Sequence, residues 1–343
     1  MNSTIDRSHT VEWDIKRQVV TRYDQCGVYR LAILLLPGFS QLSLSSFVDP
    51  LRLANSISGR SFFEWAVSSP DGEPVECASG IFVSVGKSFA SVASYLRSNG
   101  LPNMVIVCAG EKVERHASAS LMNILRLYRR HSVPISALGT ATWLLAESGI
   151  LTDAACTIHW NKLAALSETF GRLHVTNSLF VRDGDVVTCA GEFASFDLAM
   201  ELISDHLGRD NASAVCRHTT AGQWRSGSCR QWETGGEYVG VSKKVAEVAR
   251  LMEQHIEDPL PLQDIAKCVG LSRRQVERLF ERHVSCSPKR YYLRVRVEWA
   301  KRLIEQTNLP LLEVAVASGF LSSSHFSKCF RDVFGTAPSA CRG

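Results

Sequence analysis

From Tyr29 onward, short apolar runs alternate with amphipathic stretches. YRLAILLLP is continuously apolar, the pattern of a strand buried on both faces. LSLSSFVDPLRLANSI carries a helical period in spite of Pro50, FFEWAVSSP reads as a second strand and GIFVSVG as a short third. NMVIVCAG predicts another buried strand, followed by a helix over 113–130. VPISAL is the next strand, with a helix over 141–148 behind it. LFVRDGDVVTCAG predicts a hairpin turning at Asp183-Gly184, and 193–207 predicts a helix that closes the unit. Strands alternating with helices favour a doubly wound, flavodoxin-like α/β sheet.

The pattern then changes twice. Residues 209–240 are rich in Gly, Ser and Thr with little apolar period, and read as a linker with a short helix near its start. From 241 the chain is all helical and repeats itself. Ala266-x-x-x-Gly270 recurs as Ala315-x-x-x-Gly319, and each leads into an amphipathic stretch ending in Phe, RRQVERLF and SSSHFSKCF. Between them, SPKRYYLRVRVEWAKRLIEQT predicts one long helix with Pro288 in its first turn, where a missing N–H is tolerated. The division expected is a tail over 1–27, an α/β domain over 28–208, a linker over 209–240 and a helical domain over 241–343. The opening residues are polar and of mixed charge, without the layout of a secretory signal.

Composition adds two constraints. Eleven cysteines occur without C-x-x-C pairs, which argues against a disulfide framework or a structural zinc site and for reduced thiols in a cytoplasm. Cys108 and Cys189 fall in apolar strands and read as core. No apolar run is long enough to span a bilayer, so no membrane partner is expected. Charge is uneven: residues 241–343 carry 17 Lys and Arg against 11 Asp and Glu, whereas residues 1–240 carry 21 against 23. The basic excess points to an anionic polymer as partner of the helical domain alone.

The repeated unit supplies that chemistry. Gly270 permits the tight turn between two helices, Ser272 caps the second, and Val276 and Phe280 face the core at helical spacing. Ser272, Arg273, Arg274, Glu277 and Arg278 are then the groove-facing candidates of the first unit. Those of the second are Ser322, Ser323, Ser324, His325, Ser327, Lys328 and Arg331. In a helix-turn-helix, the second helix enters the major groove, where Arg reads guanine and Ser, Lys and Arg hold phosphates. His325 is either a base contact or turn packing; Phe326 reads as packing.

SGFLSSSHFSKCFRDVFGTAPSACR resembles the second helix-turn-helix signature of AraC-type transcriptional regulators, in its Gly-Phe, Ser-His-Phe, Phe-Arg and Phe-Gly-x-x-Pro pieces. The resemblance covers about 242–342. It implies sequence-specific binding to double-stranded promoter DNA and control of transcription, usually activation. RNA polymerase and a second copy of the chain are its implied partners.

LLLPGFS, VIVCAG, SALGTATWLLAESGIL and TIHW together resemble the PfpI and class I glutamine-amidotransferase-like fold, which a group of AraC-type regulators carries at the N-terminus. In catalytic relatives a Cys stands at the elbow between strand and helix and a His in Thr-x-His assists it. Here Gly139 occupies the nucleophile position and His159 matches the assisting His. Glycine cannot be a nucleophile, and Thr140 is one residue displaced, so no catalytic residue, cofactor or metal is expected. The expectation is a binding pocket lined by Phe39, Gly139, Thr140, Trp143, His159 and Trp160. The helix end after Gly139 would take a carboxylate, and the rings a cationic head. His159 is either a ligand contact or a hydrogen-bonded packing residue, and Trp143 and Trp160 are either ligand contacts or core. Regulators with this start and elbow respond to betaine-like, carnitine-like or arginine-type amines, so the resemblance implies a small effector of that class. It also departs from them, with Gly139 where relatives carry Asp and Glu192 where many carry Gly. A domain that only dimerises, or an amidase fused to a DNA-binding module, are the alternatives.

Overall fold

Seven strands form the central sheet of the computed structural model, which describes residues 27–96, 101–231 and 242–342. In chain order the strands are β1 (Tyr29–Leu35), β2 (Phe63–Ser69), β3 (Val75–Glu76), β4 (Phe82–Val83), β5 (Lys87–Ser88), β6 (Met104–Ala109) and β7 (Ile135–Gly139). They continue as β8 (Ala155–Cys156), β9 (His174–Val175), β10 (Phe180–Asp183) and β11 (Val186–Cys189). The sheet runs β10-β11-β7-β6-β1-β2-β5. All its pairings are parallel except β10–β11, the hairpin anticipated at Asp183-Gly184. β3–β4 and β8–β9 are separate two-stranded ribbons.

Side chains alternate across this sheet into two cores. Leu31, Ile33 and Leu35 of β1 face one side with Ile106 and Cys108; Leu34 faces the other with Val105, Val107, Ile135 and Ala137. The first side is covered by α1 (Gln41–Ser58), which continues through buried Pro50, and by α6 (Phe193–Leu207). On the second side lie α3 (Ala119–Arg130), α4 (Thr142–Glu147) and α5 (Leu163–Thr169), while α2 (Phe89–Leu96) follows β5. The helix expected over 113–130 is two pieces, a 3-10 turn over Val113–His116 and then α3. Ser118 interrupts it by capping α3, its hydroxyl accepting from the Leu121 N–H at 3.3 Å. Cys108 and Cys189 are fully buried, and burial pushes the Cys189 thiol up to about 12.

The expected linker is in large part folded. Residues Arg209–His218 form α7, which buries Ala212, Val215 and Cys216 in the core beneath α1 and α6. Beyond it the chain forms a strap along β10. Arg225 donates to buried Asp197 through its backbone N–H (2.7 Å), Nε (3.0 Å) and Nη2 (2.7 Å). Gln231 Nε2 reaches Thr157 Oγ1 and the carbonyls of Ile158 and Ser178. Polar anchors hold this strap, which is why apolar periodicity did not reveal it. Residues 232–240 of the expected linker, the first residue of the expected helical domain and nearly all of the expected tail lie outside the described residues.

The last hundred residues are helical: α8 (Lys243–Gln254), α9 (Leu262–Cys268), α10 (Arg273–Val284), α11 (Pro288–Gln306), α12 (Leu311–Ala317) and α13 (Ser323–Phe334). The long α11 serves two cores. Tyr291, Tyr292 and Val295 pack with α8, α9 and α10; Val297, Ala300, Leu303 and Ile304 pack with α12 and α13. Ala164 of α5 is buried in that second core, so the α/β domain seals one wall of it. At the same junction the Arg302 guanidinium lies 5.2 Å from the Trp160 ring centroid. Among the described residues, no helix is long and apolar enough to cross a membrane.

Glu253 of α8 sits in this junction facing Arg302 and Glu298 of α11 and Arg230 of the strap. Burial, outweighing Arg302 and Arg230, pushes its carboxyl from 4.5 up to about 8. Between those values the folded chain holds a proton that the unfolded chain has released. Stability therefore falls as pH rises through this window. Glu253→Gln should melt like the parent near pH 4, where the parent carboxyl is protonated in both states, and several degrees above it at pH 9. Parallel melting curves at both pH values would contradict this.

Candidate functional site

β7 ends at Gly139 with φ +70°, and α4 starts at Thr142, which makes the sharp strand-to-helix elbow. Gly191, with φ +83°, lies directly against it: a Cβ there would stand 2.6 Å from Gly139 Cα and 2.9 Å from Ser43 Oγ. Two glycines thus meet backbone to backbone under the site. Thr140 is buried, and its hydroxyl donates to the Gly110 carbonyl at 2.5 Å. His159 donates its backbone N–H to the Gly139 carbonyl (3.1 Å), and its Nδ1 pairs with Asn161 Oδ1 at 2.7 Å.

A cavity of about 480 Å³ opens over this elbow, at the carboxyl ends of β1, β6 and β7, where open α/β sheets place ligands. Its walls are Pro37, Gly38 and Ser40 after β1; Ala109, Gly110, Glu111, Lys112, Arg115 and His116 after β6; Gly139 and Thr140; Ala78; His159 and Asn161; and Glu192. Burial holds the His116 imidazole below its ordinary value, opposed by a hydrogen bond with the Pro37 backbone. Among the described residues, no cluster of His, Cys, Asp or Glu is placed to hold a metal.

Of the six residues expected here, Gly139, Thr140 and His159 line the cavity and the three aromatics do not. Phe39 is fully buried in the core under α1. Trp143 packs edge-on against Phe170 and beneath the Lys162 ammonium. Trp160 faces outward against Arg302. Apolar burial draws the first two inward, and the helical domain occupies the third. The expected role of the helix end also changes. α4 has only six residues, and the Ala141 N–H is already given to the Leu138 carbonyl, so the cations near the cavity are Lys112 and Arg115. These two, with His116, Asn161 and Glu192, were missed as site residues. The usable signal was position, because loops after the strands of a doubly wound sheet form its binding crevice.

The groove-facing candidates divide by what they touch. Ser272 caps α10 in a reciprocal capping box: its hydroxyl accepts from Gln275 N–H, and Gln275 Oε1 accepts from Ser272 N–H at 2.7 Å. Arg273 Nε is held by Glu277 at 2.8 Å, while Arg274 and Arg278 are exposed on the same face. In α13, Ser322 is the cap, accepting from His325 N–H at 3.2 Å. Ser324, His325, Lys328 and Arg331 are exposed, with the His325 ring 5.6 Å from Phe320. Phe326 is buried. Behind α13, Arg296 of α11 donates to the carbonyls of Ser318 (2.9 Å) and Gly319 (2.5 Å) and lies 4.2 Å over the Phe320 ring. That clamp fixes the second turn to the shared helix.

Two helix-turn-helix units on one helix, behind an elbow-bearing α/β sheet, agree with the comparisons. Residues 29–205 match the DJ-1/PfpI family, and residues 265–343 match a helix-turn-helix domain. The chain is 34% identical to the HTH-type transcriptional regulator GbdR of Pseudomonas aeruginosa over 90% of its own length and 82% of that protein. It is 35% identical to CdhR of Pseudomonas aeruginosa (90% and 90%) and 32% identical to GlxA of Rhizobium meliloti (93% and 97%). The chain belongs to the AraC-type regulators with a DJ-1/PfpI domain. It is a DNA-binding transcriptional regulator. In this regulator α7 and the strap lie beyond the DJ-1/PfpI match, and α8 precedes the helix-turn-helix match.

Arg274 is exposed on α10 and, among the described residues, no acidic side chain pairs with it, unlike Arg273. Arg274→Ala should cost roughly 1–3 kcal/mol of specific binding and relax preference at one base pair. Selection of binding sites from a random duplex library by parent and variant would test it; an unchanged preference with uniformly weaker binding would make Arg274 a phosphate contact.

Proposed function

We propose that this regulator senses a small amine or amino-acid-like effector of the betaine, carnitine or arginine class and activates transcription in the cytoplasm as a homodimer that engages RNA polymerase at promoters. The cavity binds and does not turn over its ligand. Gly139 brings no side chain to the displayed position, and the Thr140 hydroxyl is committed to Gly110. Burial pushes the Cys156 thiol up to about 11. The observation that carries the sensing role is the segment His159–Asn161. His159 and Asn161 line the cavity, while Trp160 between them holds Arg302 of α11, the helix that carries both DNA readers. A ligand that favours one setting of this segment biases the seating of α11.

The experiment is a promoter reporter in cells supplied with glycine betaine, carnitine, choline or arginine, paired with calorimetric titration of the full chain. Induction by at least one amine, lost in Trp160→Ala with binding retained, supports the reading. Flat titrations for all four amines would remove the small-amine effector, and measurable turnover of any of them would remove the non-catalytic role.

A further inference from the structure

One wall of the cavity carries a carboxylate in a costly backbone position. Glu192 has φ +50°, a conformation that side-chain-bearing residues seldom hold without a reason. Two contacts keep it there: its N–H donates to Ser43 Oγ at 2.6 Å, and its Oε2 accepts from Ser40 Oγ at 2.8 Å. Oε1 has no protein partner among the described residues, and Glu192 lines the cavity. Lys112 and Arg115, on the loop after β6, line the same cavity and form no ion pair among the described residues. The cavity therefore carries charges of both signs, with Glu111 beside the two cations, and among the described residues no Phe, Tyr or Trp lines it. Quaternary ammonium groups, which have no N–H to donate, are recognised chiefly by aromatic faces. A carboxylate oxygen instead rewards a cation that donates hydrogen bonds. In the tautomer whose Nδ1–H is given to Asn161 Oδ1, the His159 Nε2 is a second acceptor.

We infer that the effector is a zwitterion whose cation carries N–H donors, a primary ammonium or a guanidinium, and that Glu192 selects it over permanently methylated ammonium compounds. The inference rests on the small-amine reading above and narrows it. The ligand's carboxylate faces Lys112 and Arg115, and its cation faces Glu192.

The test is calorimetric titration of the full chain with matched pairs: γ-aminobutyrate against its trimethylated analogue, L-lysine against Nε-trimethyl-L-lysine, and L-arginine alone. The N–H member of a pair should bind at least about tenfold tighter, the scale of one charge-assisted hydrogen bond. Glu192→Gln should remove that advantage and leave the methylated member within about threefold. Glu192→Gly, which relieves the backbone, should show the same loss with an equal or higher melting temperature, separating recognition from stability. Equal or tighter binding of the methylated members, or an unchanged preference in Glu192→Gln, overturns the inference while leaving a small-amine sensor. Silence from every probe while glycine betaine, carnitine or choline binds overturns the inference alone; silence from these probes and from those three amines overturns both.

Discussion

Gly319→Ala should disable the second DNA reader, whereas Gly270→Ala should be tolerated. The two glycines hold the same place in the repeat and nearly the same backbone, with φ +73° and +70°. A Cβ at Gly270 meets open space, so the substitution costs only the left-handed penalty of about 1–2 kcal/mol. A Cβ at Gly319 would stand 2.3 Å from the Ile256 carbonyl oxygen and 2.7 Å from Pro259 Cγ. Backbone and a proline ring cannot swing aside, and the Arg296 clamp holds the turn from behind. Strain and overpacking together should reach about 3 kcal/mol or more. Hydrogen exchange should show α12 and α13 opening in Gly319→Ala, with α9 and α10 protected. Specific promoter binding should fall at least about a hundredfold, as expected from such a loss. Equal effects of the two substitutions would mean that the contact between the two units is absent in solution.

Gly191→Ala should damage both the fold and the cavity. Its Cβ would meet Gly139 Cα at 2.6 Å, Gly139 N at 2.8 Å and Ser43 Oγ at 2.9 Å, at a φ of +83°. Relief requires moving either the elbow or the start of α1, and both border the cavity. About 3 kcal/mol of destabilisation is expected, together with loss of effector binding. Gly59→Ala, at φ +69° and ψ +16° with nothing within 4 Å, supplies the control at about 1–2 kcal/mol. Thermal unfolding of both variants decides the point: similar midpoints would show that the glycine contact is not tight.

The strands and most helices could be read directly because burial on a parallel sheet leaves continuous apolar runs; the closing helix over 193–207 has the bounds expected for it. The helix-turn-helix pair was legible because its turn glycines, caps and apolar spacing are local. The strap over 219–231 was not, since Arg225 and Gln231 fasten it through partners distant in sequence. Half of the expected cavity lining lies elsewhere for the same reason. Whether an aromatic next to a loop faces a ligand or the core depends on what packs over it. Phe39 and Trp143 are claimed by the interior and Trp160 by Arg302. Glu192 stood out as a departure from its relatives, but only the assembled cavity places it on the wall beside Ser40.

The two halves of α11 are not equally self-sufficient. The first reader finds its described core within 245–295, but the second borrows Ala164 from the α/β domain. A fragment beginning at Ser242 would leave that borrowed wall open to water and Arg302 without its indole. Excised from the full chain, the tandem should become lopsided, with one rigid hand and one loose one. An apparently ligand-independent fragment would thus report the removal of a support as much as the removal of a brake.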